Sequence, residues 1–184
     1  VQNKHNLSPA QIDQVSLALR HFFIAYLRAG FRPVAMPSQV VDDLWHELIV
    51  HTKAYRSFCQ PAFGRFLHHS PAEVLKSEPV SNRGLQRVWY QSCLVERLDP
   101  AKPKRLPLLF AIDATLAVKG GFHYAVECGS DIANGRYSTL GATGILYCAA
   151  VLSNPQPGCT AGSCGGGCGG GCSGGCGGGC GGGD

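Results

Sequence analysis

The sequence predicts a mainly α-helical domain of about four helices, with a short irregular or β-tinged C-terminal part and a disordered cysteine- and glycine-rich tail. Three observations carry this expectation. Apolar residues recur at three- and four-residue spacing in several long runs, proline and glycine punctuate the gaps between those runs, and from residue 159 onward the chain is almost entirely glycine and cysteine. A body of residues 1–153, a linker at 154–158 and a tail at 159–184 follow from these shifts in composition. With 45% hydrophobic and 15% charged residues, the body has the makings of a real core and is not broadly disordered.

The first long helix starts where Ser8 can cap and Pro9 can occupy the first helical position. Ile12, Val15, Leu19, Phe22, Phe23, Tyr26 and Leu27 supply its buried stripe, and Gly30 stops it. Pro33 and Pro37 hold the connector. Ser38 caps a second helix expected to run to about Gln60, before Pro61. At about 100° per residue, Leu44, Leu48, His51, Tyr55, Phe58 and Cys59 share its apolar face. His46 falls about 140° from His51, with Asp43, Glu47 and Val50.

Residues 62–69 read as extended or turn-like, and Ser70 with Glu73 could cap a short helix. Ser81 or Asn82 opens a third long helix that buries Leu85, Val88, Trp89, Cys93 and Leu94 and ends before Pro100. A fourth helix covers residues 108–118, stopped by Gly120 and Gly121. Phe122, Tyr124 and Val126 alternate as in a short strand, while residues 137–152 fit either strand or helix.

Charge and hydropathy exclude some functions. The net charge of +4 is scattered, with one small cluster at Lys102, Lys104 and Arg105, so no nucleic-acid partner is expected. No apolar run approaches the roughly 18 to 20 residues of a membrane span. A cytoplasmic protein is expected, with a protein partner or larger assembly open as an option. The ten cysteines do not form the pattern of a stapled secreted domain. Four are single and scattered through the body (Cys59, Cys93, Cys128, Cys148), and the rest lie in the tail.

The densest chemistry lies between Asp42 and Pro71. Trp45-His46, Tyr55, Cys59, Phe63-Gly64-Arg65-Phe66 and His68-His69-x-Pro71, with Asp42 or Asp43 just before the tryptophan, form a spaced motif. It resembles that of the glycine-rich domain protein-like family, and the glycine-rich C-terminus agrees. Many members of that family carry a second histidine two residues after the first, where this chain has Leu48. The resemblance implies a shared fold and motif; it does not imply a reaction.

His46, with Asp43 and Glu47 on its side of the helix, is the candidate catalytic group, since neighbouring carboxylates orient and charge an imidazole. The competing reading is an exposed helical face. His46, His51, His68 and His69 are candidate metal ligands. On one regular helix, His46 and His51 cannot chelate one ion together. His51 and Cys59 lie about 12 Å apart along its axis. Only the loop carrying His68 and His69 could bring a further imidazole to either face. Cys59, near a helix C-terminus where anions are disfavoured, is a poor nucleophile.

Cys164, Cys168, Cys172, Cys176 and Cys180 recur every fourth residue. Glycine between them costs much entropy to order, so the tail does not fold alone. Its thiolates are candidate ligands for a soft ion, Zn or Cu(I). The expected function is a non-catalytic binding or interaction protein with metal capacity in tail thiols and helix-two histidines. The alternatives are a small enzyme using His46 with Asp43 and Glu47, or a precursor-like protein whose tail a partner modifies or docks on.

Overall fold

Ser8 and Pro9 do begin the longest helix, and the geometry explains why. The Ser8 hydroxyl accepts from the Gln11 amide at 3.3 Å while the Gln11 side chain accepts from the Ser8 amide at 2.8 Å, a reciprocal cap that satisfies two otherwise orphaned donors. In the computed structural model, which describes residues 1–69, 80–126, 146–148 and 152, the fold is mainly helical. A short α1 (Gln2–His5) precedes α2 (Pro9–Arg28), followed by α3 (Gln39–Val50), α4 (Thr52–Phe63), α5 (Val80–Val95) and α6 (Leu108–Thr115). Six helices therefore replace the expected four among the described residues. Two three-residue strands, β1 (His123–Ala125) and β2 (Leu146–Cys148), pair in parallel with Tyr124 opposite Tyr147.

The central element is α2. Its stripe of Val15, Ala18, Leu19, Phe22, Phe23, Ala25 and Tyr26 is buried and packs against α3, α5 and α6. Leu27, expected in that stripe, is 37% exposed. Val88, Trp89 and Cys93 of α5 are fully buried, whereas Leu94 faces outward. Trp89 also donates to the Pro100 carbonyl at 3.1 Å, tying the end of α5 to the turn beyond it.

The expected second helix is corrected. It breaks at His51, whose ψ of 62° lies outside the helical region, and restarts at Thr52 as α4, which continues through Pro61 to Gly64. Ile49, Val50 and Thr52, β-branched residues that lose rotamer freedom in a helix, surround the break. Gly64 then closes α4 in the left-handed conformation at φ 66°, donating to the Gln60 carbonyl at 2.9 Å. The phase argument that placed His51 on an apolar face fails with the break, and His51 is exposed.

A buried carboxylate fastens α3 to the C-terminal part. Asp113, on α6 and 1% exposed, accepts from the Ser38 hydroxyl at 2.7 Å and from the Gln39, Val40 and Phe122 amides at 2.7, 3.2 and 2.8 Å. Three of these donors belong to the start of α3, whose positive dipole end favours an anion. Gly121 allows the approach, because a Cβ there would lie 2.9 Å from the Asp113 Cβ. Among the described residues no helix is long and apolar enough to cross a membrane. The short helix expected after Ser70, most of residues 137–152, the linker and the tail lie outside the described residues.

Candidate functional site

The break at His51 brings Trp45 and Tyr55 together. On one straight helix, residues ten apart would be separated by about 15 Å of rise. Instead the Trp45 indole donates to the Tyr55 hydroxyl at 3.1 Å, and that hydroxyl donates to the Leu67 carbonyl at 2.7 Å. All three residues are buried. Burial raises the Tyr55 phenol well above its ordinary value, and the hydrogen bond and charge of Cys59 add to this against the opposing Trp45 bond. The phenol therefore stays protonated and keeps its donor for Leu67. Through this chain α3 and α4 fix the course of residues 64–69.

The fixed segment delivers His69 to α3. Its Nε2 lies 2.9 Å from Asp42 Oδ1, and its ring packs edge-on against Trp45 with centroids 4.6 Å apart. On the other side, the His46 ring lies 4.2 Å from that of His69. His46 is one turn after Asp42: its Nδ1 is 2.8 Å from the Asp42 carbonyl oxygen and 3.4 Å from Oδ2. With Nδ1–H donated to that carbonyl, Nε2 is the ring nitrogen left with a lone pair. One ligand atom from each of Asp42, His46 and His69 lies within 4.8 Å of the others.

These residues suit a divalent transition metal. Zinc bound by imidazole and carboxylate at about 2.0 to 2.1 Å in a tetrahedron needs donors about 3.3 Å apart; His69 Nε2 and Asp42 Oδ1 lie 2.9 Å apart, and one donor atom from each of the three residues lies within 4.8 Å of the others. The Asp42 and His69 side chains are 23% and 13% exposed and His46 is 52% exposed, so the group is anchored inside and open outward.

The other site candidates lie elsewhere. Asp43 accepts from Lys4 at 2.8 Å, from His5 at 2.7 Å and from the Gln39 amide group at 3.2 Å. Burial works against its ionisation, but the hydrogen bonds from Lys4 and His5, the Lys4 charge and the Gln39 bond outweigh it, holding the carboxyl below its ordinary range. Glu47 pairs with the α-amino group of Val1. Neither carboxylate contacts His46 among the described residues; the carboxylate beside it is Asp42, four positions earlier rather than three. His68 is not in the group of Asp42, His46 and His69: its ring lies 4.8 Å from that of Phe66, in a cleft it shares with Arg56, Cys59 and Gln60. Cys164, Cys168, Cys172, Cys176 and Cys180 lie outside the described residues.

In the sequence, Asp42 stands only as one of two acidic residues before the tryptophan. The i, i+4 spacing of Asp42 and His46 was the available signal. Compared with known proteins, residues 1–151 match the family described as UCP032817-like. No curated protein and no solved structure matches.

Proposed function

The chain belongs to the UCP032817-like family, and we propose that it is a binding protein that holds a divalent transition-metal ion, zinc foremost, between Asp42, His46 and His69. One observation carries the proposal: two imidazoles and a carboxylate converge within 4.8 Å, although His69 comes from a separate segment. The bond that holds the His46 imidazole agrees with it. Metal-ligating histidines commonly give their second ring N–H to a carbonyl, as His46 does to Asp42. The donor set is harder than thiolate and suits Zn over Cu(I).

Zinc titration of a chain whose six tail cysteines are serine, followed by calorimetry, tests the proposal, with His46→Asn and His69→Asn expected to weaken binding at least about tenfold. Unchanged binding in both variants overturns it.

The half-exposed His46 favours a second reading, an enzyme centred on this histidine, because three protein donors leave a four-coordinate ion one position for water or substrate. Zinc-dependent hydrolysis of p-nitrophenyl acetate that His46→Asn abolishes would support it; equal hydrolysis by the variant would reject it.

The tail belongs to the proposal as a second, softer metal site at Cys164, Cys168, Cys172, Cys176 and Cys180, or as a segment that a partner protein modifies or docks on. The four-residue spacing of its cysteines supports both uses. Intact mass from native cells separates modification from metal loading. The kinship with glycine-rich domain proteins rests on the Trp45-His46, Tyr55, Cys59 and His68-His69 spacing. A cytoplasmic location and no nucleic-acid partner fit the scattered charge and free thiols.

A further inference from the structure

A cleft of about 400 Å³ opens between α4 and the segment that follows it. Arg56, Cys59 and Gln60 line it from α4, where their i, i+3 and i+4 spacing puts them on one face. Phe66 and His68 line it from the other side. We propose that this cleft binds a small carboxylate with an apolar, aromatic-sized body.

The lining contains one fixed cation and no acidic residue. Arg56 forms no ion pair among the described residues, so its guanidinium is available to an incoming anion. A guanidinium presents parallel donors that match both oxygens of a carboxylate. Gln60, one turn further along α4, adds an amide donor, and His68 faces it from the loop. Phe66 supplies the apolar wall. Its ring is 38% exposed and is held edge-on against Tyr55 at 5.2 Å and His68 at 4.8 Å. Cys59, 1% exposed, closes the floor.

Volume decides between ligand classes. About 400 Å³ falls in the range of small-molecule sites, roughly 300 to 1,000 Å³, and is more than acetate or inorganic phosphate would fill. A ring on the carboxylate would cover Phe66 and displace water from the cleft. The proposal stands independently of the metal reading, since none of its five residues is a proposed ligand of that ion.

Titration of the full chain with benzoate in the presence of chelator, followed by amide NMR, tests it. Benzoate should shift the amides of Arg56, Gln60, Phe66 and His68 and bind at least fivefold more tightly than acetate or inorganic phosphate. Arg56→Met should weaken benzoate about tenfold, and Arg56→Lys, which keeps the charge without the fork, by a smaller factor. Arg56 is exposed, so both variants should melt as the parent does. Shifts centred elsewhere, benzoate affinity unchanged in Arg56→Met, or phosphate or acetate binding as tightly as benzoate would each overturn the proposal.

Discussion

His69 sets its Nε2 2.9 Å from Oδ1 of Asp42, a residue 27 positions earlier in the chain. This contact joins the segment after α4 to the first turn of α3, and it converts two histidines with no sequence periodicity between them into neighbours. It depends on two features upstream: the break at His51, and the Trp45–Tyr55–Leu67 hydrogen bonds that the break permits.

Tyr55→Phe should therefore act in two ways. It leaves a buried indole N–H and a buried carbonyl unpaired, at about 1 to 3 kcal/mol each, so stability should fall by about 2 to 6 kcal/mol. It should also free the segment carrying His69. Denaturant unfolding measures the first effect and zinc affinity the second. A variant that loses stability but binds zinc as tightly would separate the hydrogen bonds from the site.

Asp113→Ala should be among the most damaging single changes in the body. It strips partners from Ser38 and from three backbone amides, and a cost of about 3 to 5 kcal/mol is expected. Gly121→Ala should cost about 1 to 3 kcal/mol by pushing against the same carboxylate. Urea midpoints of the two variants measure both.

Acid should weaken the fold through Asp43 and Glu96. Burial resists ionisation of Glu96, but bonds from His21, Arg105 and the Leu108 amide, with the Arg105 charge, hold its carboxyl below the ordinary value of 4.5. Asp43 is held below its ordinary 3.8. For a depressed carboxyl, the stabilisation is present above the unfolded value and lost as pH falls through the folded one. Melting temperature should drop below about pH 4, and Asp43→Asn should flatten that limb while lowering stability at neutral pH. A limb as steep in Asp43→Asn as in the parent would remove Asp43 from it.

Cys93 should resist alkylation in the native protein. Burial, with smaller effects of Glu96 and Asp99, pushes its thiol up to about 12, so almost no reactive thiolate forms near neutrality. Peptide mapping after iodoacetamide treatment should find Cys93 unlabelled until denaturant is added. Labelling at native concentrations of reagent would show that α5 opens readily.

Much of this architecture was legible in the sequence because it is local. The Ser8-Pro9 start, the α2 stripe and the glycine stop at residue 30 depend on neighbouring residues, and they stand as expected apart from the exposed Leu27. The helix break was not legible in the same way. A run such as Val50-His51-Thr52 continues helical in many settings, and tertiary packing decides between one helix and two. A straight helix puts His51 on the apolar face, which the break prevents, whereas the Asp42–His46 pair lies within α3 and follows from i, i+4 spacing. The loop as the route for a further imidazole could be read from helical phase alone, but which of His68 and His69 reaches α3 could not. That choice follows from the Leu67 carbonyl, a backbone group that no sequence pattern marks. Asp113 did leave a trace, as a lone carboxylate in the apolar run LLFAIDATLAV.

The most direct test of the metal site is zinc stoichiometry in a full-length chain whose Cys159, Cys164, Cys168, Cys172, Cys176 and Cys180 are all serine. With the tail thiols removed, the protein should retain one zinc per chain by elemental analysis, and Asp42→Asn combined with His69→Asn should abolish it while the helical circular dichroism persists. No zinc in the tail variant, or an equal amount after the Asp42 and His69 substitutions, would contradict the assignment of Asp42, His46 and His69 as the ligands.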